Sequence, residues 1–307
     1  MNMIDRGFTE LASEIRSLGE KELYYRIRRS FDAVPAQTRK SCQDFFNRFG
    51  YWGRLDPDNG VFDEIEQKEL ALFEHLEEYV WLYEHLEDYR SKYTLYSILS
   101  NWYRYDFKST GLTKEYMYDD YFDLDIVKCT PNEVVVDLGA FTGDTVLSYI
   151  KNYGEDCYRR IYCYEITQAS FEQLEKNLAG LRDIELRCKG VSDTEGYMSI
   201  MANPSSSANQ LVPDSGGDVC VTTLDADIDE PVTLIKADIE GAEQRAIEGA
   251  RRHILNDHPK LLISVYHSNE DLWRIPQMIH EISRDYKFYL RYRGSPIYPT
   301  EITLIAI

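Results

Sequence analysis

The spacing of apolar residues changes near residue 125, and the two parts of the chain predict different structures. Before that point, apolar side chains recur every three or four residues, as from Leu70 to Leu86, which is typical of one face of a helix. After it, short apolar runs alternate with helical patterns. This alternation predicts a parallel sheet covered on both faces by helices. We therefore predict a helical N-terminal region, residues 1–115, and an α/β domain, residues 116–307.

The apolar runs of the second part predict the order of its strands. They include VVVDLG, RIYCYEI, IELRCKGV, LIKADIEG and LLISVYH, and most are separated by a helical pattern. The last two runs, KFYLRYR and EITLIAI, have no helix between them, so they predict an antiparallel pair at one edge. In open α/β sheets, ligands bind beyond the carboxyl ends of the strands. We expect the functional residues at those ends.

The stretch DLGAFTGD, residues 137–144, predicts a nucleotide-cofactor turn between a strand and a helix. A dinucleotide turn needs a middle glycine so that the backbone can approach a pyrophosphate, and Phe141 occupies that position. The Asp137 carboxylate would repel phosphate but suits an ammonium group. The pattern therefore favours S-adenosyl-L-methionine (SAM). The predicted cofactor-binding residues here are Asp137, Gly139, Phe141, Thr142, Gly143 and Asp144.

Two further strand ends carry residues that suit this cofactor. Glu165 closes the second strand, where a carboxylate can accept both hydrogen bonds from a ribose diol, and Ile166 follows it. After the third strand, Val191, Ser192 and Asp193 are predicted to lie near the adenine, which needs an apolar contact and a hydrogen-bond acceptor for its amine. Carboxylates at successive strand ends make the cofactor prediction more specific than the glycine turn alone.

Net charge and cysteine content narrow the class of protein. The chain has 34 Lys and Arg against 53 Asp and Glu, a formal charge of -19, and nucleic-acid affinity depends on neutralising phosphates. We expect no nucleic-acid partner. The six cysteines form no CxxC pair, which is typical of reduced thiols. No apolar run is long enough for a membrane span, so the sequence predicts a soluble, cytoplasmic protein.

The region 116–307 resembles the FkbM family of methyltransferases. The resemblance is carried by YF at 121–122, NEVVVDLGAFTGDT, LIKADIEGAEQRAIEGA at 234–250 and ISVYHSNEDLWRIPQMI at 263–279. It implies a class I, SAM-dependent O-methyltransferase with a Rossmann-like, mainly parallel seven-stranded sheet and an antiparallel edge strand. Many relatives modify sugars of surface polysaccharides or natural products. The sixth strand departs from the Arg-His-Tyr that is usual in the family, because Arg291 is followed here by Tyr292 and Arg293. This strand is expected to lie near the acceptor side.

The fourth and fifth strand ends supply the candidate catalytic groups. A hydroxyl acceptor needs a base within hydrogen-bond reach, and Asp238 and His267 are the candidates. Asp238 is also predicted to contact the cofactor; capping the following helix is its alternative role. Clustered carboxylates suit Mg²⁺, so a metal route stays open, although no residue is assigned as a metal ligand. The predicted substrate-binding residues are Glu240, Tyr266, Arg291 and Tyr121.

Three functions remain after these observations. The first is an O-methyltransferase acting on a hydroxyl of a sugar or related small molecule. The second is a methyltransferase for a protein or RNA, and the third is a non-catalytic SAM-binding protein with a helical partner-binding region. The tyrosine-rich residues 93–122 predict that the N-terminal region covers the acceptor side or forms a homodimer contact.

Overall fold

A computed structural model describes residues 2–119, 121–201, 209–212 and 216–307. Within them, the helices are α1 (Met3–Arg16), α2 (Glu20–Asp32), α3 (Ala36–Phe49), α4 (Asp63–Glu74), α5 (Leu76–His85), α6 (Tyr89–Arg104), α7 (Phe107–Thr113), α8 (Asp144–Tyr153), α9 (Gln168–Leu178), α10 (Leu224–Asp227), α11 (Glu243–Gly249), α12 (Arg251–Asn256) and α13 (Asp271–Ile282). The strands are β1 (Leu55–Asp56), β2 (Val61–Phe62), β3 (Val134–Leu138), β4 (Arg160–Tyr164), β5 (Ile184–Arg187), β6 (Gly190–Val191), β7 (Gly196–Met201), β8 (Gln210–Val212), β9 (Val219–Thr222), β10 (Leu234–Ala237), β11 (Lys260–Ser264), β12 (Phe288–Tyr292) and β13 (Ile302–Ala306). No helix in the described part of the chain combines the length and apolarity that a membrane crossing requires.

The main sheet has seven strands in the order β12-β13-β11-β10-β3-β4-β5. The pairs β11–β10, β10–β3, β3–β4 and β4–β5 are parallel, and every residue of β3 and β10 is buried, because helices cover both faces. This confirms the predicted fold class. The chain order reverses between β3 and β10, so the carboxyl ends of these two strands lie at the switch point where ligands bind.

A second, smaller sheet was not predicted. Its four strands follow the order β6-β9-β7-β8, and the run predicted as one third strand, IELRCKGV, is divided between β5 of the main sheet and β6 of this one. β7 pairs antiparallel with both β8 and β9. The small sheet brings residues 209–212 into the region of the candidate site.

The chain forms two compact units, and the first is not continuous in sequence. It contains Met1–Glu115 together with Val265–Gln277 and Lys287–Leu304, whereas the second contains Tyr116–Ser264, Met278–Tyr286 and Ile305–Ile307. The two-part division predicted from the sequence stays a prediction, but the later segments of the first unit were not part of it.

Helices and aromatic rings build the core of the first unit. The rings of Phe8 and Tyr83 stack at 3.8 Å between centroids. The single helix predicted across Leu70–Leu86 is wrong, because α4 ends at Glu74 and α5 begins at Leu76. His75 between them has φ -119° and ψ 22°, outside the helical region, and its ring stacks on Trp273 at 4.6 Å. A contact distant in sequence therefore accompanies the break that periodicity did not show.

Arg291, a predicted substrate-binding residue, is buried and hydrogen-bonded within the first unit. It is 3% exposed, and its guanidinium donates to Asp88 at 2.7 Å and to Ser91 Oγ at 3.0 Å. Asp88 is the N-cap of α6, where it accepts from the Ser91 backbone NH. Partial burial opposes ionisation, but the bonds from Arg291 and Ser91 lower the pKa of Asp88. These bonds link β12 to α6 within the first unit, and the acceptor-binding role of Arg291 stays a prediction.

Candidate functional site

A buried ion pair joins the two strands at the switch point. Asp137 near the end of β3 is 1% exposed and Lys236 in β10 is 2% exposed, with Nζ 2.9 Å from Asp137 Oδ1. The same ammonium group donates to the carbonyl oxygens of Leu138 and Gly139 at 3.1 and 2.9 Å. Lys236 therefore ties the end of β3 and the start of the glycine turn to β10.

The electrostatics of this pair favour a charged lysine. Burial raises the pKa of the Asp137 carboxyl, and the Lys236 ammonium opposes that shift. Burial also acts against the charged form of Lys236, yet the carboxylates of Asp137 and Asp238 raise the pKa of its ammonium group. Asp137 was predicted to contact a cofactor ammonium group; the structure gives its carboxylate an ammonium group of the protein itself.

The glycine turn depends on close backbone contact between the two strand ends. Gly139 has φ +75°, and a Cβ there would lie 2.0 Å from the carbonyl oxygen of Asp238, which no side chain can accommodate. Gly143, at φ +86°, is the N-cap of α8, and its NH donates to Ala140 O at 2.7 Å. Phe141 adopts φ +44°, a left-handed conformation uncommon for a phenylalanine. The backbone of this turn therefore requires glycine at positions 139 and 143.

Glu165 is held in place by the backbone of the glycine turn. Its carboxylate accepts from the NH of Phe141 at 2.9 Å and from the NH of Thr167 at 2.6 Å. Burial raises the pKa of Glu165, and these backbone hydrogen bonds lower it. A carboxylate has about four acceptor positions, so the two bonds leave capacity for a ligand diol.

These elements enclose a cavity in the second unit of about 550 Å³, its open mouth included. That volume is within the range of small-molecule sites. Of the predicted residues, Gly139, Phe141, Glu165, Ile166, Val191, Asp238 and Glu240 line it. The other predicted cofactor residues do not line it; these are Asp137, Thr142, Gly143, Asp144, Ser192 and Asp193.

Three of these residues have other contacts in the second unit. The carbonyl oxygen of Thr142 accepts from Asn177 Nδ2 at 2.7 Å. The Ser192 NH donates to Thr222 O at 2.9 Å, and its hydroxyl donates to Asp193 at 3.0 Å. Asp193 itself is exposed. At the predicted adenine end, Val191 therefore supplies the wall, and the amine-binding role of Asp193 stays a prediction.

Asn209 and Leu211, directly before and within β8, also line the cavity, and neither was predicted from the sequence. Asn209 Nδ2 donates to Thr167 Oγ1 at 3.2 Å. Gln210 Nε2 donates to Glu240 O at 2.9 Å. These bonds tie the small sheet to the turns after β4 and β10, so three chain segments distant in sequence form one wall.

Asp238 follows β10 and is bonded by a distant tyrosine. The Tyr121 hydroxyl donates to Asp238 Oδ2 at 2.6 Å. The turn after Asp238 is held by Glu243, whose two oxygens accept from the NH groups of Ile239 at 2.8 Å and Gly241 at 3.0 Å. The N-cap of α11 is Ala242, with no side-chain capping bond, so Asp238 does not take the helix-capping role considered for it. Asp238 lines the cavity, and its cofactor and catalytic roles stay predictions.

The remaining predicted site residues belong to the first unit. His267 is 3% exposed, and its ring centroid lies 5.6 Å from that of Tyr51 and 4.3 Å from that of Tyr266. The Tyr266 carbonyl oxygen accepts from Trp52 Nε1 at 2.8 Å. The catalytic role of His267 and the substrate role of Tyr266 stay predictions.

The cavity fits the chemistry of SAM. Glu165 has acceptor capacity for a diol, the side chains of Ile166, Val191 and Leu211 supply apolar contacts, and Asp238 places a second carboxylate in the wall. The predicted cofactor has a ribose diol, an adenine ring and two cationic centres, and it carries no phosphate. Glu165 would bind the ribose diol and Asp238 would lie towards the cationic end.

We expect Glu165→Ala to raise the dissociation constant for SAM about tenfold or more. A hydrogen bond to a charged group is worth about 1.5–3 kcal/mol, and a tenfold change corresponds to about 1.4 kcal/mol. Isothermal titration calorimetry with SAM measures the effect. The matched control is Glu172→Ala, which removes an exposed carboxylate on α9 that accepts from Gln168. Equal SAM affinity in wild type and Glu165→Ala would contradict the assignment.

Comparison with known proteins identifies the relatives of this chain. The family model described as the methyltransferase FkbM domain matches residues 137–291. Methyltransferase FkbM from Methylobacillus flagellatus KT is similar in structure, with a TM-score of 0.65 and 22% sequence identity, over 81% of this chain and 64% of that chain. This chain therefore spans less than two thirds of that relative's length, and at this identity the likeness shows the fold alone.

Two further solved structures are less similar. Fibrillarin from Aeropyrum pernix, in complex with natively bound SAM, has a TM-score of 0.39 and 14% identity over 59% of this chain and 70% of that chain. Ribosomal protein L11 methylase from Lactobacillus delbrueckii subsp. bulgaricus has a TM-score of 0.38 and 18% identity over 66% and 77%. Both are too distant to bear on function. No curated protein matches the sequence significantly.

Proposed function

The chain belongs to the FkbM family of methyltransferases, so its cofactor is SAM, and we propose that it methylates a hydroxyl of a sugar or related small molecule. The family membership agrees with the resemblance drawn from the sequence. The cofactor, when bound, supplies an electrophilic methyl group. The protein's own contribution is to bind the cofactor, orient the acceptor and remove the acceptor's proton.

The observation that carries the proposal is the position of Asp238. It lines the same cavity as the cofactor residue Glu165, and the Tyr121 hydroxyl fixes one of its oxygens at 2.6 Å. A neutral hydroxyl is a weak nucleophile, so a carboxylate that accepts its proton raises the rate of methyl transfer by about 10²- to 10⁴-fold. Asp238 is therefore the general base of the proposed reaction.

Charge favours a small acceptor over a nucleic acid. The whole chain has a formal charge of -19. Among the described residues that line the cavity, Glu165, Asp238 and Glu240 carry carboxylates and Lys189 carries an ammonium group. Such a wall repels a phosphate backbone but hydrogen-bonds readily to neutral hydroxyl groups. The sugar-type acceptor is the class that best suits this wall.

Two alternatives for the base have separate tests. His267 is the second candidate, and if it takes the proton, His267→Ala should lower turnover about 10²-fold or more while SAM binding persists. A divalent metal that binds the acceptor hydroxyl is the other route, and turnover lost with EDTA and restored by Mg²⁺ would favour it.

We expect tritiated SAM to label hydrolysed cell-surface glycan and to leave total RNA unlabelled. Asp238→Asn keeps the size of the side chain and removes the charge, so with saturating SAM we expect the labelling rate to fall about 10²-fold or more. Glu172→Ala is the control that keeps the wild-type rate. Label in RNA or protein would support a macromolecular acceptor, and SAM binding without label in any acceptor would support a non-catalytic protein.

A further inference from the structure

Tyr121 is anchored by the two residues that follow it. The next residue, Phe122, is 1% exposed, and its ring meets those of Tyr149 and Tyr153 edge-on at 5.6 and 5.7 Å between centroids. The NH of Asp123 donates to the Tyr121 carbonyl oxygen at 3.2 Å. Phe122 therefore fixes the segment in the core of the second unit, while the adjacent side chain of Tyr121 reaches Asp238.

The bond between Tyr121 and Asp238 is short and involves a charged acceptor. At 2.6 Å, the hydroxyl–carboxylate distance lies in the range of charge-assisted hydrogen bonds, which are about twice as strong as neutral ones. The Lys236 ammonium lies 5.3 Å from the centre of the Tyr121 ring, within cation–π range. Tyr121 thus contacts both Lys236 in β10 and Asp238 directly after that strand.

Lys236 is divided among several acceptors. Its ammonium group has Asp137 Oδ1 at 2.9 Å and donates to the carbonyl oxygens of Leu138 and Gly139. An ammonium group has three N–H donors, and these three contacts match that number. The Tyr121 hydroxyl therefore gives Asp238 a hydrogen bond that is separate from these contacts of Lys236.

We propose that Tyr121 is a positioning residue, which holds the Asp238 carboxylate at the cavity wall so that the wall favours SAM over its demethylated product, S-adenosyl-L-homocysteine (SAH). The inference rests on the proposed function and deepens it. The two ligands differ in one positive charge, because SAM has a sulfonium centre and SAH a neutral thioether. A carboxylate kept at the wall attracts the sulfonium charge of SAM. Methyl transfer removes that charge, so SAH binds to the cavity more weakly than SAM.

The test measures the affinities of SAM and SAH by isothermal titration calorimetry at constant pH and salt. In Asp238→Asn we expect the affinity for SAM relative to SAH to fall about tenfold, since unit charges several ångströms apart attract appreciably near a protein surface. In Tyr121→Phe we expect a fall of about threefold, because the carboxylate keeps its charge and loses its orientation. Tyr121→Phe in the Asp238→Asn background should add nothing, since contacting residues of one network are not additive.

The matched control is Tyr153→Phe, which removes another tyrosine hydroxyl bond of the second unit, to Val127 O at 2.9 Å, and should leave the ratio unchanged. An unchanged ratio in Tyr121→Phe, or a double variant whose loss is the product of the two single losses, would overturn the inference while SAM binding itself persists. A wild-type protein that binds neither ligand would overturn the proposed function and the inference together. If Tyr121→Phe does not fold, Asp238→Asn must still lower the ratio for the inference to stand.

Discussion

A fragment that begins at residue 116 is expected to yield no stable folded protein. The first unit consists of residues 1–115 packed with 265–277 and 287–304, so the deletion removes one side of a shared core. The bridge between Leu86 and Phe288 disappears, and Phe288, 1% exposed in the complete chain, becomes accessible to water. The remaining segments would expose a large apolar surface.

The energies involved are larger than the stability of a typical domain. Arg291 would lose its hydrogen bonds to Asp88 and Ser91, and a hydrogen bond to a charged group is worth about 1.5–3 kcal/mol. Each fully buried side chain that becomes exposed costs a further 1.5–3 kcal/mol or so, whereas whole domains are stable by about 5–15 kcal/mol. Soluble yield and the thermal transition of the fragment, followed by circular dichroism, measure the outcome.

Co-expression provides the control for this deletion. Residues 1–115 supplied as a separate chain should restore soluble protein, because the contacts of the first unit are non-covalent. A fragment 116–307 that is soluble on its own and melts cooperatively would contradict the expectation. It would also show that the N-terminal region is an independent appendage.

Lys236→Met is expected to lower the free energy of unfolding by about 3–5 kcal/mol, because it leaves the Asp137 carboxylate buried without a partner. The carbonyl oxygens of Leu138 and Gly139 lose a donor as well. The double variant Asp137→Asn/Lys236→Met has no buried charge at this position. We therefore expect it to recover a large part of the lost stability, since replacing both partners of a buried pair is far less costly than removing one.

Urea unfolding of the single and double variants measures this difference, with the midpoint compared at constant slope. The control is Lys40→Met, which removes the lysine of an exposed pair with Asp44, both side chains 63% exposed. Exposed pairs contribute about 0–1 kcal/mol, so this variant should stay close to wild type. A double variant no more stable than Lys236→Met would show that the unpaired carboxylate is not the cause.

The parts of the fold that follow from local patterns were predictable. β3 and β4 are apolar runs followed directly by Gly139 and Glu165, and the rule that ligands bind at strand ends predicted these cavity-lining positions. Short strands with mixed burial were not predictable. β7 has one buried residue in six and β6 has two residues, so neither carries a period that could be recognised.

The contacts that define the site are set by tertiary structure. Nothing in the sequence pairs Tyr121 with Asp238, which lies 117 positions away, or Arg291 with Asp88, 203 positions away. Lys236 did offer a signal, since a lysine inside an apolar parallel strand requires a buried partner. That partner, Asp137, had been assigned to the cofactor because a carboxylate beside the glycine turn suits an external cation equally well.

The discontinuity of the first unit determines the order in which a ribosome can complete it. Helices α1 to α7 are synthesised first, but their partners at 265–277 and 287–304 are synthesised last. At about 5–20 residues per second, translation from residue 115 to residue 265 takes about 8 to 30 s. During that interval Trp52 and Tyr79 lack the carbonyl partners that they have in the finished chain, at Tyr266 and Asn269. We therefore expect the nascent chain to expose aromatic surface during that interval, as chaperone substrates do.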